Sequence, residues 1–253
     1  EAQPIIPPNP DLATVEGQLD ALKTGNMLWR KHAQRLMVEN KADVLQQLIV
    51  TIQDHATDEI GQNSEVIHAL WTLHGRGALN GSNPDANKAL LIALDHPSSG
   101  VRRNALAVAP RTEQFSKAIV KLGALRVRDA QVRLAGLLAL AEMPPSSEAA
   151  DAIRVAFASN AIEDRWLSDA LIAAAARHDA QFLQLVAKNS GAKLASPPGN
   201  ALMTVSEHYA RSAPADTVGS IIELLAAAEP KQAAAPATEA ILIGMSKGWP
   251  KDK

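Results

Sequence analysis

The chain of 253 residues is long enough for one long domain or two short ones, and its net charge of −2 gives no global bias toward nucleic acid or an anionic membrane. It is 47% apolar but only 3% aromatic, so its core must be built from Ala, Leu, Ile and Val, which suits closely spaced helices. With no cysteine, disulfides, thiolate zinc sites, a cysteine nucleophile and covalent c-type haem attachment are excluded within these residues.

Residues 1–10 are Pro-rich and read as an extended linker. They lack a basic stretch followed by an apolar one, so they are not a signal peptide, and the chain reads as an excerpt of something longer or a processed product. No apolar run approaches the roughly 20 residues of a membrane span. From Asp11 to Thr24 the residues Leu12, Val15, Leu19 and Leu22 recur at helical spacing, closed by Gly25.

A repeat begins at Asn26. The anchors Trp29, Val66, Val101, Val132, Trp166 and Leu202 are 37, 35, 31, 34 and 36 residues apart. Apolar or small residues recur four and seven positions beyond each anchor, which puts them on one face of a helix. A period of this size predicts a stacked array of helix pairs. The units span about 26–62, 63–97, 98–128, 129–162, 163–198 and 199–230, within a single domain covering 11–253. The first helices follow capping residue types at Asn26, Asn63, Ser98, Asp129 and Asp164. The second helices are predicted over 44–53, 86–94, 112–122, 147–158, 180–188 and 217–228, and a last helix over 236–247 opens at Pro236. Breakers stand at His96-Pro97, Pro144-Pro145, Pro197-Pro198-Gly199 and Glu229-Pro230. The predicted fold is an all-α, right-handed α-solenoid of about six two-helix repeats.

The units carrying Val101-Arg102 and Val132-Arg133, with Trp29-Arg30 as a variant, resemble HEAT repeats. The strings Met27-Leu-Trp-Arg-Lys-His-Ala-Gln-Arg-Leu36, Ile67-His-Ala-Leu-Trp-Thr-Leu-His74, Gly100-Val-Arg-Arg-Asn-Ala105 and Ser206-Glu-His-Tyr-Ala-Arg211 carry a closer resemblance. They resemble the HEAT region of large secreted bacterial proteins, abundant in planctomycetes and their relatives, known as membrane-bound dehydrogenases or haem-binding proteins. In that family the region follows a sorbosone-dehydrogenase-like propeller and precedes a c-type cytochrome. The resemblance implies a periplasmic or secreted location, haem c elsewhere in the parent protein, and a non-enzymatic scaffold role with protein domains as partners. It assigns no cofactor, metal or catalytic residue to this chain, no nucleic acid and no membrane insertion. An alternative is a nucleic-acid binder or DNA-glycosylase-like enzyme on the same fold; another is a standalone peptide-binding adaptor.

Candidate residues fall into three groups. His68 and His74 are six apart on one helix and so point to different faces, unlike a helical metal pair, while His32 lies at a comparable offset on the preceding unit. Trp29 and Trp166, at the anchor itself, are expected to bury on the order of 150–250 Å² each between units. Trp71 is expected at the flank of the stack, and Trp249, after the last helix, is the preferred docking aromatic. The third group is a basic stripe from Val101 to Arg133: Arg102, Arg103, Arg111, Lys117, Lys121, Arg126, Arg128 and Arg133 against Glu113 and Asp129. It reads either as a docking stripe for an acidic surface or, preferably, as Arg102 and Arg133 pairing with acids such as Asp95 and Asp129 while the rest are solvated. With Phe115 as its one aromatic, it is poorly suited to single strands. The carboxylates Glu142, Glu148, Asp151, Glu163, Asp164 and Asp169 form no marked acid–base pair, and Asn80-Gly81-Ser82 reads as a turn. No phosphate loop, dinucleotide fingerprint, nucleophile elbow or zinc-protease motif is present.

Overall fold

The computed structural model describes residues 9–40, 43–157, 164–189, 198–212, 215–227 and 235–251, which are helices and connecting turns with no strand among them. The expected linker up to residue 8, Pro197, Glu163 and the Glu229-Pro230 break lie outside the described residues. Two compact units divide the chain, Glu1–Pro110 and Arg111–Lys253. No described helix is long and apolar enough to cross a membrane.

The first unit holds α1 (Val15–Lys23), α2 (Met27–Glu39), α3 (Leu45–Ile52), α4 (Ser64–Gly75), α5 (Pro84–Leu94) and α6 (Ser99–Val108). Five of these start on a side-chain cap. Thr14, Asn26, Asn63, Asn83 and Ser98 each accept a hydrogen bond from a backbone N–H that the first helical turn leaves without an internal partner. Helices α2, α4 and α6 pack side by side as one layer, and α3 and α5 form a second layer against them. Ala33, Met37, Leu48, Ile52, Leu70, Leu73, Ala89 and Leu90 close the core between the layers, all fully buried. A core of small and aliphatic side chains lets the helices approach closely, as the composition required.

The second unit holds α7 (Glu113–Lys121), α8 (Ala130–Leu140), α9 (Ser147–Phe157), α10 (Arg165–Arg177), α11 (Asp179–Lys188), α12 (Gly199–Arg211), α13 (Ala215–Ala227) and α14 (Ala235–Gly248). One layer runs α8, α10, α12, α14, and the other runs α7, α9, α11, α13. Phe115, Phe157, Phe182 and Tyr209 are buried here, with the rings of Phe157 and Phe182 tilted at 51° and 5.7 Å apart. The expected helices over 44–53, 86–94, 112–122 and 180–188 match α3, α5, α7 and α11 within two residues at each end. The turn at Asn80 is also as expected: its Oδ1 accepts from the Ser82 N–H, and Gly81 has φ +90°.

One expectation about the anchors is corrected. Trp166 is not buried but 68% exposed, and Leu167 occupies the core in its place. The cap sets this register. Asp164 Oδ1 accepts from the N–H of Leu167 at 3.0 Å, so Leu167 stands third after its cap. Val66, Val101 and Val132 also stand third after theirs, each donating its N–H to the cap side chain. With Leu167 as the anchor, the steps from Val132 and on to Leu202 are both 35 residues. Trp29 does stand third after Asn26, yet it is only half-buried.

Candidate functional site

The basic stripe does not form one run of free cations. Arg102 and Arg103 belong to the first unit and the other six to the second. Arg102 Nη1 donates to the carbonyls of His96 and Pro97, and Arg133 Nη1 donates to those of Val127 and Arg128. Arg30 Nη1 donates to the Thr24 carbonyl. In all three cases the guanidinium therefore reaches back six residues and closes the loop that leads into its own helix. The sequence reading expected acids at these positions for Arg102 and Arg133; the hydrogen bonds observed run to main-chain carbonyls. The Nε of each of these arginines is buried without a hydrogen-bond partner among the described residues, a further mark that the three sites are built alike.

Two more members of the stripe are held by acids: Arg111 Nε on Glu142 at 2.6 Å, and Lys117 on Glu113 one helical turn away. Arg103, Lys121, Arg126 and Arg128 stand exposed. Asp151 pairs with Arg154, Asp164 caps α10, and Asp169 lies 3.7 Å from Arg165.

Among the histidines, His68 Nδ1 meets Gln34 Oε1 at 2.6 Å, joining α4 to α2, while His32 is exposed. Because a carbonyl oxygen only accepts, Nδ1 carries the proton here. Burial, together with Arg30 and Lys31, pushes His68 down to about 4, so the ring is neutral at ordinary pH. No group of three or more His, Asp or Glu that could hold a metal occurs among the described residues.

Sequence reasoning passed over two fully buried imidazoles. His96 and His178 are both 0% exposed. His96 Nε2 donates to the Asp54 carbonyl at 2.8 Å, and its Nδ1 accepts from the Ser98 N–H at 2.9 Å. His178 Nε2 donates to the Leu140 carbonyl at 3.0 Å, and its Nδ1 accepts from the Ser146 N–H at 3.0 Å. A backbone N–H must meet a bare lone pair, so both rings are neutral with the proton on Nε2. Burial lowers both pKa values. Each ring ties a turn to the helix pair before it, a role that no local sequence pattern marks.

The indoles differ in their exposure. Trp71 is half-exposed; its Nε1 donates to Asn104 Oδ1 at 2.8 Å, and Asn104 in turn donates to the Gly100 carbonyl. The ring also stands edge-on to His74 at 5.5 Å. This chain of contacts joins α4 to α6 and fixes the indole's orientation. Trp166 projects from the first turn of α10 with the Arg165 guanidinium 5.8 Å from its ring. Trp249 is half-buried just past α14, its backbone N–H bonded to the Met245 carbonyl. Trp71 and Trp166 each stand on a capped helix.

No protein-family model matches the chain, and no curated protein matches it. Among solved structures, the chain is similar to an engineered protein whose crystal structure is known, at 15% identity and a TM-score of 0.33, over 92% of this chain and 78% of that one.

Proposed function

We propose that this chain is a non-enzymatic scaffold and protein-docking module, built as a right-handed solenoid of about six HEAT-like helix pairs. By the resemblance set out above, it holds a propeller-type dehydrogenase domain and a cytochrome c domain in a fixed relation within an exported redox protein. Packed helices remove relative freedom of the attached domains and so reduce the entropic cost of their productive contact.

The observation that supports a docking role is Trp166. A 68%-exposed indole on the first turn of a well-capped helix contributes little to the core, whereas tryptophan is enriched among the residues that carry binding energy at protein interfaces. The experiment is capture of the propeller and cytochrome domains of the same parent protein by the chain. Trp166→Ala should weaken capture by more than about tenfold while shifting stability by less than about 0.5 kcal/mol. Unchanged capture by both Trp166→Ala and Trp249→Ala would sink the docking surface. Soret absorbance after haem reconstitution, or dye reduction with an aldose, would sink the non-enzymatic reading.

A further inference from the structure

Nine residues of the second unit line a cleft of about 800 Å³ formed by the ends of α8, α10 and α12 and the start of α11. Its apolar lining is small: Ala141, Ala173, Ala176 and Pro145. Its polar lining sets the cations Arg177 and Arg211 and the imidazole of His208 against Asp179. The single acid is already committed. Asp179 Oδ1 accepts from the Ala180 N–H at 2.7 Å, and Oδ2 accepts from His208 Nδ1 at 3.0 Å. Asp179 therefore orients the imidazole. Arg177 Nε donates to the Met143 carbonyl at 2.7 Å, which fixes the stem of that side chain and leaves both Nη groups without a partner among the described residues. Arg211 uses one Nη on Glu207.

We propose that this cleft binds an extended acidic peptide segment, with one carboxylate on Arg177 and a second on Arg211. The proposal extends the docking reading by naming the chemistry of a partner. Guanidinium groups take carboxylates through paired, charge-assisted hydrogen bonds, and small side chains below them leave room for a backbone. Arg177 and Arg211 stand at matching places, thirteen residues past the residues Asp164 and Pro198 that precede α10 and α12. Packed helices lie about 8–10 Å apart. Extended chain advances about 3.3 Å per residue, so acids three positions apart match that separation. A nucleic acid fits less well. The cleft has no aromatic side chain for base stacking.

The test uses a fluorescein-labelled peptide of Glu-Ala-Pro repeats, its Gln-Ala-Pro counterpart, and labelled oligothymidylate, each titrated with the whole chain at low salt. The acidic peptide should bind, and the glutamine peptide should bind more weakly by at least about tenfold. Arg177→Gln with Arg211→Gln should cause a similar loss, and added salt should weaken binding. Because Arg177 also holds a carbonyl, the exposed-site variant Arg211→Gln is measured separately, and it should weaken binding several-fold. Peptide addition should also shift the His208 imidazole resonances. Equal binding of the two peptides, full binding by all the variants, or tighter binding of oligothymidylate overturns the proposal. A chain that captures its neighbouring domains but ignores the acidic peptide discards this cleft and leaves the scaffold reading standing.

Discussion

At the scale of single residues, the buried imidazoles make the chain sensitive to acid. His96 and His178 are held neutral by burial, and burial also dominates the lowering of His68. A histidine whose pKa is lower folded than unfolded binds its proton preferentially in the unfolded chain. Its contribution is complete above the unfolded value near 6.5 and is lost as pH falls toward the folded value, about 4 for His68. Urea midpoints should therefore fall steadily as pH drops through that interval, and His68→Gln should flatten part of the slope. A slope of opposite sign would contradict the neutral assignment. His178→Leu keeps the volume but leaves the Ser146 N–H and the Leu140 carbonyl without their ring partners. It should cost about 2–4 kcal/mol in urea unfolding at neutral pH, since each buried group left unpaired costs about 1–3 kcal/mol.

At the scale of elements, caps carried more positional information than hydrophobic pattern. The period located the helices because apolar spacing and capping residues agree in most units. It failed in α10, where Trp166 and Leu167 are both large and apolar and only Asp164 decides which of them faces the core. The cap was in view in the sequence, but its offset to the anchor had to be applied. The seating of α14 was not legible, because it depends on the facing helix. Ala240, Gly244 and Gly248 face Gly199, Met203 and Glu207 of α12 at a constant offset, so the two helices run parallel and close together. A Cβ at Gly244 would intrude on the Met203 carbonyl and the Ser206 side chain. Gly244→Leu should therefore detach α14 while sparing the first unit. Hydrogen exchange checks this: protection should fall across α14 and stay unchanged in α2, α4 and α6.

At the scale of the whole molecule, the division at Pro110 and Arg111 leaves each unit with its own buried core. Residues 111–253 expressed alone should give a helical spectrum and a cooperative melt, since Phe115, Phe157, Phe182 and Tyr209 all bury within that unit. A non-cooperative melt would show that the second unit needs the first. The candidate site was less legible than the fold. Charge density along the sequence drew attention to Val101–Arg133, where four of the eight cations turn out to hold carbonyls or acids. The cleft draws single residues from places tens of positions apart, such as Arg177 and Arg211, and no local count of charge brings such residues together.

The separation of aromatic types has an optical consequence. The three phenylalanines and the one tyrosine are buried, while none of the four tryptophans is. Tryptophan emission from this chain thus reports its surface more than its interior. The native protein should already emit toward the red and be open to quenching by iodide, with Trp166 contributing most. A partner that covers an indole would move the emission to the blue without any change in fold, giving the chain a built-in signal for docking.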